Sequence, residues 1–311
     1  MATEKVLADN LSMQKQRNDV LPTRRPRQVF RGISVAFALT FAGLVALLLL
    51  ADVGYITEFA LRAAPERVQD VWQDILSPGT RQELALSLAT ATFTTLLALL
   101  IALPAGYALS RYRIPGKVVV DTLVDAAIVL PPLILGVSLL VLFSLLRRMA
   151  EGAGTASAPN PVLQGFYDFF VYRKPGIILA QFFVSTALCI RAMRAAFDAA
   201  DRRVEDVALT LGCAPFGAFW RATLPQAVSG MLAGAVMAWS YAVGLFAPVA
   251  IFAGTVRGRT AVLPTRTFLE VSVGHLEIAL VLTIVMATIA MSLLIGFKIL
   301  VQRRRGRGAV I

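Results

Sequence analysis

The sequence predicts an all-α polytopic membrane protein with six transmembrane helices. Of its 311 residues, 57% are hydrophobic, and the mean hydropathy of +0.71 is too high for an ordinary soluble domain. Backbone groups in lipid must be hydrogen-bonded within the protein, so a spanning segment is either a helix or part of a closed barrel. The apolar runs of this chain show no alternation of period two, which excludes a porin-type barrel.

Six apolar runs are candidates for spans, because a helix that crosses a bilayer needs about 20 residues. The runs cover 32–51, 84–109, 126–146, 176–190, 227–253 and 276–300. The fourth reaches spanning length if its helix continues past Ile190 to Phe197, or begins before Gly176. The apolar core of the first is longer than that of a cleavable signal, so we expect it to be retained.

The net charge of +11 is an orientation signal. If the N-terminus is inside, the two tails and the inner loops together hold twenty Lys and Arg residues, and the outer loops hold ten. Because Lys and Arg favour the cytoplasmic side, both termini are expected to be cytoplasmic. The basic residues next to the membrane would contact anionic lipid. No nucleic-acid partner is expected.

The predicted elements follow in chain order. Residues 1–30 form a basic cytoplasmic tail, 31–52 the first transmembrane helix, and 53–82 an outer, periplasmic segment with a short surface helix. Residues 83–302 form a core with five further spans and an inner loop at 191–225, and 303–311 form a second basic tail.

The inner loop carries the most informative pattern. Four apolar residues recur at i, i+3, i+4 and i+7, on one face of a helix: Val204, Val207, Ala208 and Leu211. The polar residues are expected on the remaining, solvated surface: Asp201, Arg202, Glu205 and Asp206. Gly212 is a natural left-handed stop for this helix. A short amphipathic helix between two spans needs a surface against which its apolar face can pack.

The spacing around this helix resembles the EAA loop of type I ABC importer permeases. Asp206, Val207 and Ala208 stand at the triplet, Gly212 at the glycine, and Leu224 with Pro225 at the close. Asp, Val and Ala222 replace the family's Glu, first Ala and Ile. The resemblance implies a type I ABC importer transmembrane fold and a coupling site for a separate ATPase. The residues of that site would be Val204, Glu205, Asp206, Val207, Ala208, Leu211, Gly212, Leu224 and Pro225.

Three further segments are similar to permeases for tetrahedral oxyanions, namely sulfate, thiosulfate, molybdate and tungstate. They lie at 103–110, 129–132 and 258–264. Leu245 and Ala261 depart from that pattern, since each stands where these permeases carry an acidic residue. The resemblance implies a small substrate such as molybdate, tungstate or sulfate, and another small solute is the alternative.

The same resemblance implies the partners. They are ABC ATPase subunits, a periplasmic or lipoprotein substrate-binding protein and a second permease copy, in a bacterial inner membrane. The chain has no phosphate-binding loop, hydrolase motif or metal-ligand spacing. We therefore expect a non-catalytic subunit that binds no cofactor, with ATP and Mg used by the partner ATPase. A membrane scaffold and an ion-coupled carrier are the alternatives, although the middle of each run lacks the charged residues that such carriers use.

Two groups of residues are candidates for the transport pathway. Helix breaks are tolerated in a membrane where they line a cavity, and a simple kink is the alternative. The residues expected to break the helices are Pro131, Pro132 and Gly136 in the third run and Gly244 and Pro248 in the fifth. Leu245 and Phe246, which lie between the last two, are pathway candidates together with Pro131 and Pro132. The hydroxyls of Ser87, Thr90 and Thr94 share one helical face, and they either offer donors to an anion or bond back to their own helix. A stripe of small residues from Gly230 to Ala242 packs either within one subunit or across a dimer.

Overall fold

The computed structural model describes residues 24–151 and 160–307, and that part of the chain is helical without β-strands. Its helices are α1 (Arg24–Arg62), α2 (Pro65–Leu76), α3 (Pro78–Arg111), α4 (Lys117–Val129), α5 (Pro132–Ala150), α6 (Pro161–Phe170), α7 (Lys174–Asp198), α8 (Arg202–Thr210), α9 (Pro215–Ala218), α10 (Leu224–Gly244), α11 (Ala247–Phe252), α12 (Leu263–Val273) and α13 (Leu276–Arg307). A π-helical turn, Phe219–Thr223, joins α9 to α10.

Six of these segments are long and apolar enough to span a bilayer, which confirms the predicted number. The fourth continues to Asp198, as its length required. α1 runs beyond the predicted 31–52 at both ends, and α2 is a short helix within the segment that was predicted to be outer. Most of the 1–30 tail and part of the last tail lie outside the described residues.

Two of the apolar runs are interrupted. The third breaks at Leu130 and Pro131, whose ψ values of 132° and 130° are extended, because proline offers no N–H to continue the helix. The fifth ends at Gly244, and Leu245 with a ψ of 114° separates it from the short helix α11. The same two breaks were the predicted ones.

The chain forms two compact units, one ending at Glu58 and the other beginning at Phe59. The first is the body of α1, whose large apolar side chains are exposed, as Phe37 is at 75%; such a surface suits contact with lipid. The second unit has α7 at its centre, with α3 and α10 packed on it.

Small residues allow the central helices to approach closely. A Cβ added to Gly234 of α10 would lie 2.2 Å from the Cβ of Ala192 on α7. This contact lies within one chain, so the small-residue stripe packs inside the subunit. A buried glutamine ties the same helices together: Gln181 accepts a hydrogen bond from Thr94 (3.1 Å) and donates one to the carbonyl of Ala242 (2.9 Å).

Candidate functional site: the inner-loop helix and the cavity at the helix breaks

The inner-loop helix α8 lies beside the C-terminal end of α7. The side chain of Asp201 caps it by accepting a hydrogen bond from the Arg203 N–H at 2.9 Å, which satisfies one of the free donors of the first turn. The helix ends at Thr210, and Gly212 follows with a φ of 89°. The predicted left-handed stop is confirmed, because that φ is readily adopted only by glycine.

The apolar residues of α8 are exposed. Val204, Val207 and Leu211, called here the docking face, are 46%, 55% and 80% exposed, and Ala208 is half-buried. Leu211 lies just past the last helical residue, with its N–H bonded to the carbonyl of Val207. Asp206 is exposed as well. The helix therefore presents apolar side chains that no described residue covers.

The expectation that Glu205 is solvated is wrong. Its side chain is buried and accepts hydrogen bonds from the Tyr107 hydroxyl and, at 2.8 Å, from the Thr223 hydroxyl. The Arg111 Nε lies 3.4 Å from the Glu205 Oε2, and the Arg111 side chain is 8% exposed. Glu205 thus anchors α8 to α3 and to the π-helical turn. A carboxylate can be buried in this way because a cation and two hydroxyl donors offset its desolvation.

The segment after Gly212 returns the chain to the membrane. Pro225 lies in the first turn of α10, as predicted, directly after the π-helical turn that ends at Thr223. Phe216 and Trp220 in this segment are 73% and 49% exposed, and their rings contact each other edge to face.

The two helix breaks meet at one cavity. Its volume is about 550 Å³. This central cavity is lined by residues from both breaks and from α10: Pro131, Pro132, Ser240, Tyr241, Leu245 and Phe246. None of its lining residues is charged. The four break residues proposed for the pathway therefore lie together, and their role in transport stays a prediction.

The three hydroxyls on α3 lie elsewhere, in the packed core. Ser87 accepts a hydrogen bond from the Leu263 N–H at 2.8 Å and donates one to the Glu83 carbonyl, also at 2.8 Å. Thr90 donates to the Leu86 carbonyl at 2.8 Å. Bonding back to the helix, the alternative to anion contact, therefore describes Ser87 and Thr90, while Thr94 binds Gln181.

A family comparison decides what kind of protein carries these features. A family model for the inner membrane component of binding-protein-dependent transport systems matches residues 95–306, more than half of the chain. The chain belongs to this family. The permease assignment made from the EAA-like spacing is confirmed.

Two relatives of this permease illustrate the similarity. The molybdate/tungstate transport system permease protein of Thermococcus kodakarensis is 38% identical over 167 residues, which are 54% of this chain and 58% of that protein. The molybdenum transport system permease protein of Mycobacterium tuberculosis is 31% identical over 230 residues, 72% of this chain and 81% of that protein.

Solved structures establish the fold of the permease. A bacterial ABC transporter involved in the import of the acidic polysaccharide alginate matches with a TM-score of 0.64 and 14% identity, covering 90% of this chain and 99% of that chain. A bacterial alginate ABC transporter in complex with its alginate pentasaccharide-bound periplasmic protein gives a TM-score of 0.59 at 14% identity, covering 83% and 94%. The predicted type I ABC importer fold is confirmed.

Sequence reasoning missed a buried ionic cluster at the opposite end of the permease from α8. Arg266 of α12 is 2% exposed, and its Nη1 lies 2.9 Å from the Glu83 Oε2. It also binds Asp74 of α2 and the hydroxyl of Thr80, and its Nε lies 3.6 Å from Glu270. The cluster joins α2, α3 and α12.

The residues that sequence reasoning missed share one property. Tyr107, Arg111 and Thr223 around Glu205, like Arg266 around Glu83, find partners far away in the chain. Helical periodicity describes only one helix at a time, so it carries no signal for such contacts. The sequence signal that could have indicated these buried contacts is a single Arg or Glu at the edge of an apolar run.

Proposed function

We propose that this chain is the permease subunit of an ATP-driven importer that moves a tetrahedral oxyanion, such as molybdate, tungstate or sulfate, across a bacterial inner membrane. Two copies would form the pathway together with two ATPase subunits, and a periplasmic or lipoprotein substrate-binding protein would deliver the anion. ATP and Mg would be bound by the ATPase subunits.

The observation that supports the proposal is that one side of α8 is buried and anchored while another side is apolar and exposed. Glu205 anchors one side of the helix through buried hydrogen bonds and an ion pair, while Val207 and Leu211 on another side stay exposed. An apolar helix face held rigidly in this way suits a groove on a partner protein. Because α3 and the π-helical turn share the anchor, movement of the partner would be passed directly to two membrane helices.

The central cavity supports transport of a weakly held anion. Its lining residues are uncharged, and the hydroxyl of Ser240, which lines it, has no hydrogen-bond partner among the described residues. A cavity without fixed cations would release an anion readily, so affinity and selectivity would belong to the binding protein. The names of the Thermococcus and Mycobacterium relatives point to molybdate or tungstate.

The test is uptake by a reconstituted transporter. The chain, its ATPase and its binding protein would be placed in liposomes, and the accumulation of labelled molybdate and sulfate would be measured with and without ATP and Mg. We expect uptake of at least one of these anions that needs all three proteins and ATP. The same liposomes with a buffer-only interior serve as the control.

Two outcomes would contradict the proposal. Flux through liposomes that hold this chain alone, at the rate of the full assembly, would indicate a carrier or channel. Normal ATPase binding without uptake of any small solute would indicate a membrane scaffold.

A further inference from the structure

A second, basic cavity lies at the outer end of the helix bundle, far from α8. It has a volume of about 560 Å³ and is formed where α6, the start of α7 and the loop before α12 meet. We call it the mouth cavity. The lining residues that matter here are Asp168, Tyr172, Arg173, Lys174, Arg259 and Thr260.

The mouth cavity has an excess of positive charge. Arg173, Lys174 and Arg259 face a single acidic lining residue, Asp168. Within the described part of the chain, no carboxylate forms an ion pair with any of the three cations. By contrast Arg257, two residues before Arg259, is paired with Asp74 and Glu270 at 3.3 and 3.2 Å. The charge of Arg257 is therefore offset by two carboxylates, whereas the charges of the three cations in the cavity are not.

Membrane orientation does not account for these cations. Lys and Arg are depleted on the outer side of membrane proteins, so three unpaired cations that converge there need another reason. α7, a helix of 25 residues, also begins at the cavity, with Lys174 as its first residue. The positive end of its dipole adds to the field of the three side chains.

The walls of the cavity are held in place. The Tyr172 N–H donates a hydrogen bond to the Phe252 carbonyl at 3.2 Å, which joins the loop before α7 to the end of α11. The Tyr172 ring lies over Gly254, where an added Cβ would be 3.2 Å from its Cδ1. On the far wall, the buried Thr260 hydroxyl accepts a hydrogen bond from the Val256 N–H at 3.2 Å.

The mouth cavity lies close to the central cavity. Ala247, the first residue of α11, lines the central cavity, and Phe252, its last, is bonded to Tyr172 of the mouth. A six-residue helix is about 9 Å long at the usual rise of about 1.5 Å per residue. An anion at the mouth would thus be one short helix away from the uncharged cavity at the helix breaks.

We propose that the mouth cavity is a capture site for a small oxyanion, which it holds before the anion reaches the central cavity. The proposal rests on the proposed function for the identity of the anion. Three cations and a helix N-terminus raise the local concentration of a dianion by electrostatic attraction. Because the side chains of the three cations are exposed, solvent screens their attraction for the anion. The site would therefore bind the anion weakly and release it readily.

The test is binding of tungstate to the purified full-length chain in detergent, measured by equilibrium dialysis at low ionic strength. The mouth variant carries Arg173→Gln, Lys174→Gln and Arg259→Gln. The matched control carries Arg67→Gln, Arg81→Gln and Arg148→Gln, three exposed outer-end cations that lie outside the cavity and have no ion pair among the described residues. Both variants lose the same charge, and thermal unfolding checks that both are folded.

We expect the mouth variant to lose about tenfold or more in tungstate affinity, on the scale of electrostatic enrichment, and the control to stay within about twofold of wild type. Added salt should weaken wild-type binding, because exposed charges are screened beyond a Debye length of about 10 Å at 0.1 M. Arg173→Lys with Arg259→Lys, which keeps the charge, should retain most of the affinity.

Equal losses in the mouth and control variants, or no tungstate binding by wild type, would overturn the inference. So would a mouth variant that binds tungstate normally but binds the loaded binding protein weakly, since the cavity would then receive acidic side chains of that protein. The uptake assay separates this failure from that of the proposed function. If wild-type liposomes accumulate oxyanion while the three substitutions leave tungstate affinity unchanged, the capture-site proposal is wrong and the proposed function still holds.

Discussion

Arg266 and Glu83 form an ion pair inside the protein although 183 residues separate them in the sequence. The Arg266 Nη1 and the Glu83 Oε2 are 2.9 Å apart, and each side chain is 2% exposed. The pair fixes α12 against the start of α3, and Asp74 brings α2 into the same cluster. The outer end of the permease is therefore held by charge as well as by apolar packing.

Replacing Arg266 by Met should strongly destabilise the protein, because Glu83 would remain buried without its cation. The loss of one partner of a buried ion pair costs about 3–5 kcal/mol. Arg257→Gln is the matched control, since that side chain is 59% exposed and an exposed pair contributes about 0–1 kcal/mol. Thermal unfolding in detergent compares the two. Equal effects would mean that the buried pair contributes no more than the exposed one.

Glu205 and Asp206 are neighbours with different roles. Glu205→Ala should leave Arg111 buried beside an empty site and cost about 3 kcal/mol or more, whereas Asp206→Ala at an exposed position should stay within about 0.5 kcal/mol. Thermal unfolding and limited proteolysis of the inner loop measure both effects. A larger loss for Asp206→Ala would show that the acidic residue at the triplet position is the anchor.

Val207→Asp tests the docking face separately from folding. Val207 is 55% exposed, so its replacement should leave the stability of the isolated chain nearly unchanged. A charge placed in a dry groove on the ATPase would cost about 3–5 kcal/mol of binding, enough to lose the partner on co-purification. Val207→Ala removes the same contact without adding charge and should retain most binding. Wild-type co-purification of Val207→Asp would exclude this face from the contact.

Gly234 tests the packing of α10 on α7. Gly234→Ala would place a Cβ 2.2 Å from that of Ala192, and such overpacking costs about 1–3 kcal/mol. Gly296→Ala is the control, since nothing lies within 4 Å of its added Cβ and alanine is the better helix former by up to about 1 kcal/mol. The unfolding midpoint should fall for the first variant and hold or rise for the second. A stabilising Gly234→Ala would contradict the close packing.

Cysteine labelling tests the orientation. Cys189 is buried and Cys213 is partly exposed in the inner loop. An impermeant maleimide added to intact cells should leave Cys213 unlabelled and should label Glu66→Cys on α2, because the charge distribution places them on opposite sides. Permeabilised cells are the control, in which Cys213 should react. The reverse pattern would overturn the orientation and place the mouth cavity inside the cell.

The number of spans, the two helix breaks and the amphipathic helix with its glycine stop were all predictable from the residue pattern. Each of these depends on local chemistry: apolar run length, the missing N–H of Pro131 and the conformational freedom of Gly212. The spacing from Asp206 to Pro225 also identified the family, because a motif is read along the chain without knowledge of contacts.

Which polar residues turn inward could not be predicted in this way, because it depends on contacts between distant segments. Periodicity placed Glu205 on the solvated side of its helix, but Tyr107, Arg111 and Thr223 surround it from other elements. In the same way Arg266 is buried among the carboxylates of α2, α3 and α12. A charge is stable in the interior only where partners offset its desolvation, and those partners meet only when distant segments pack.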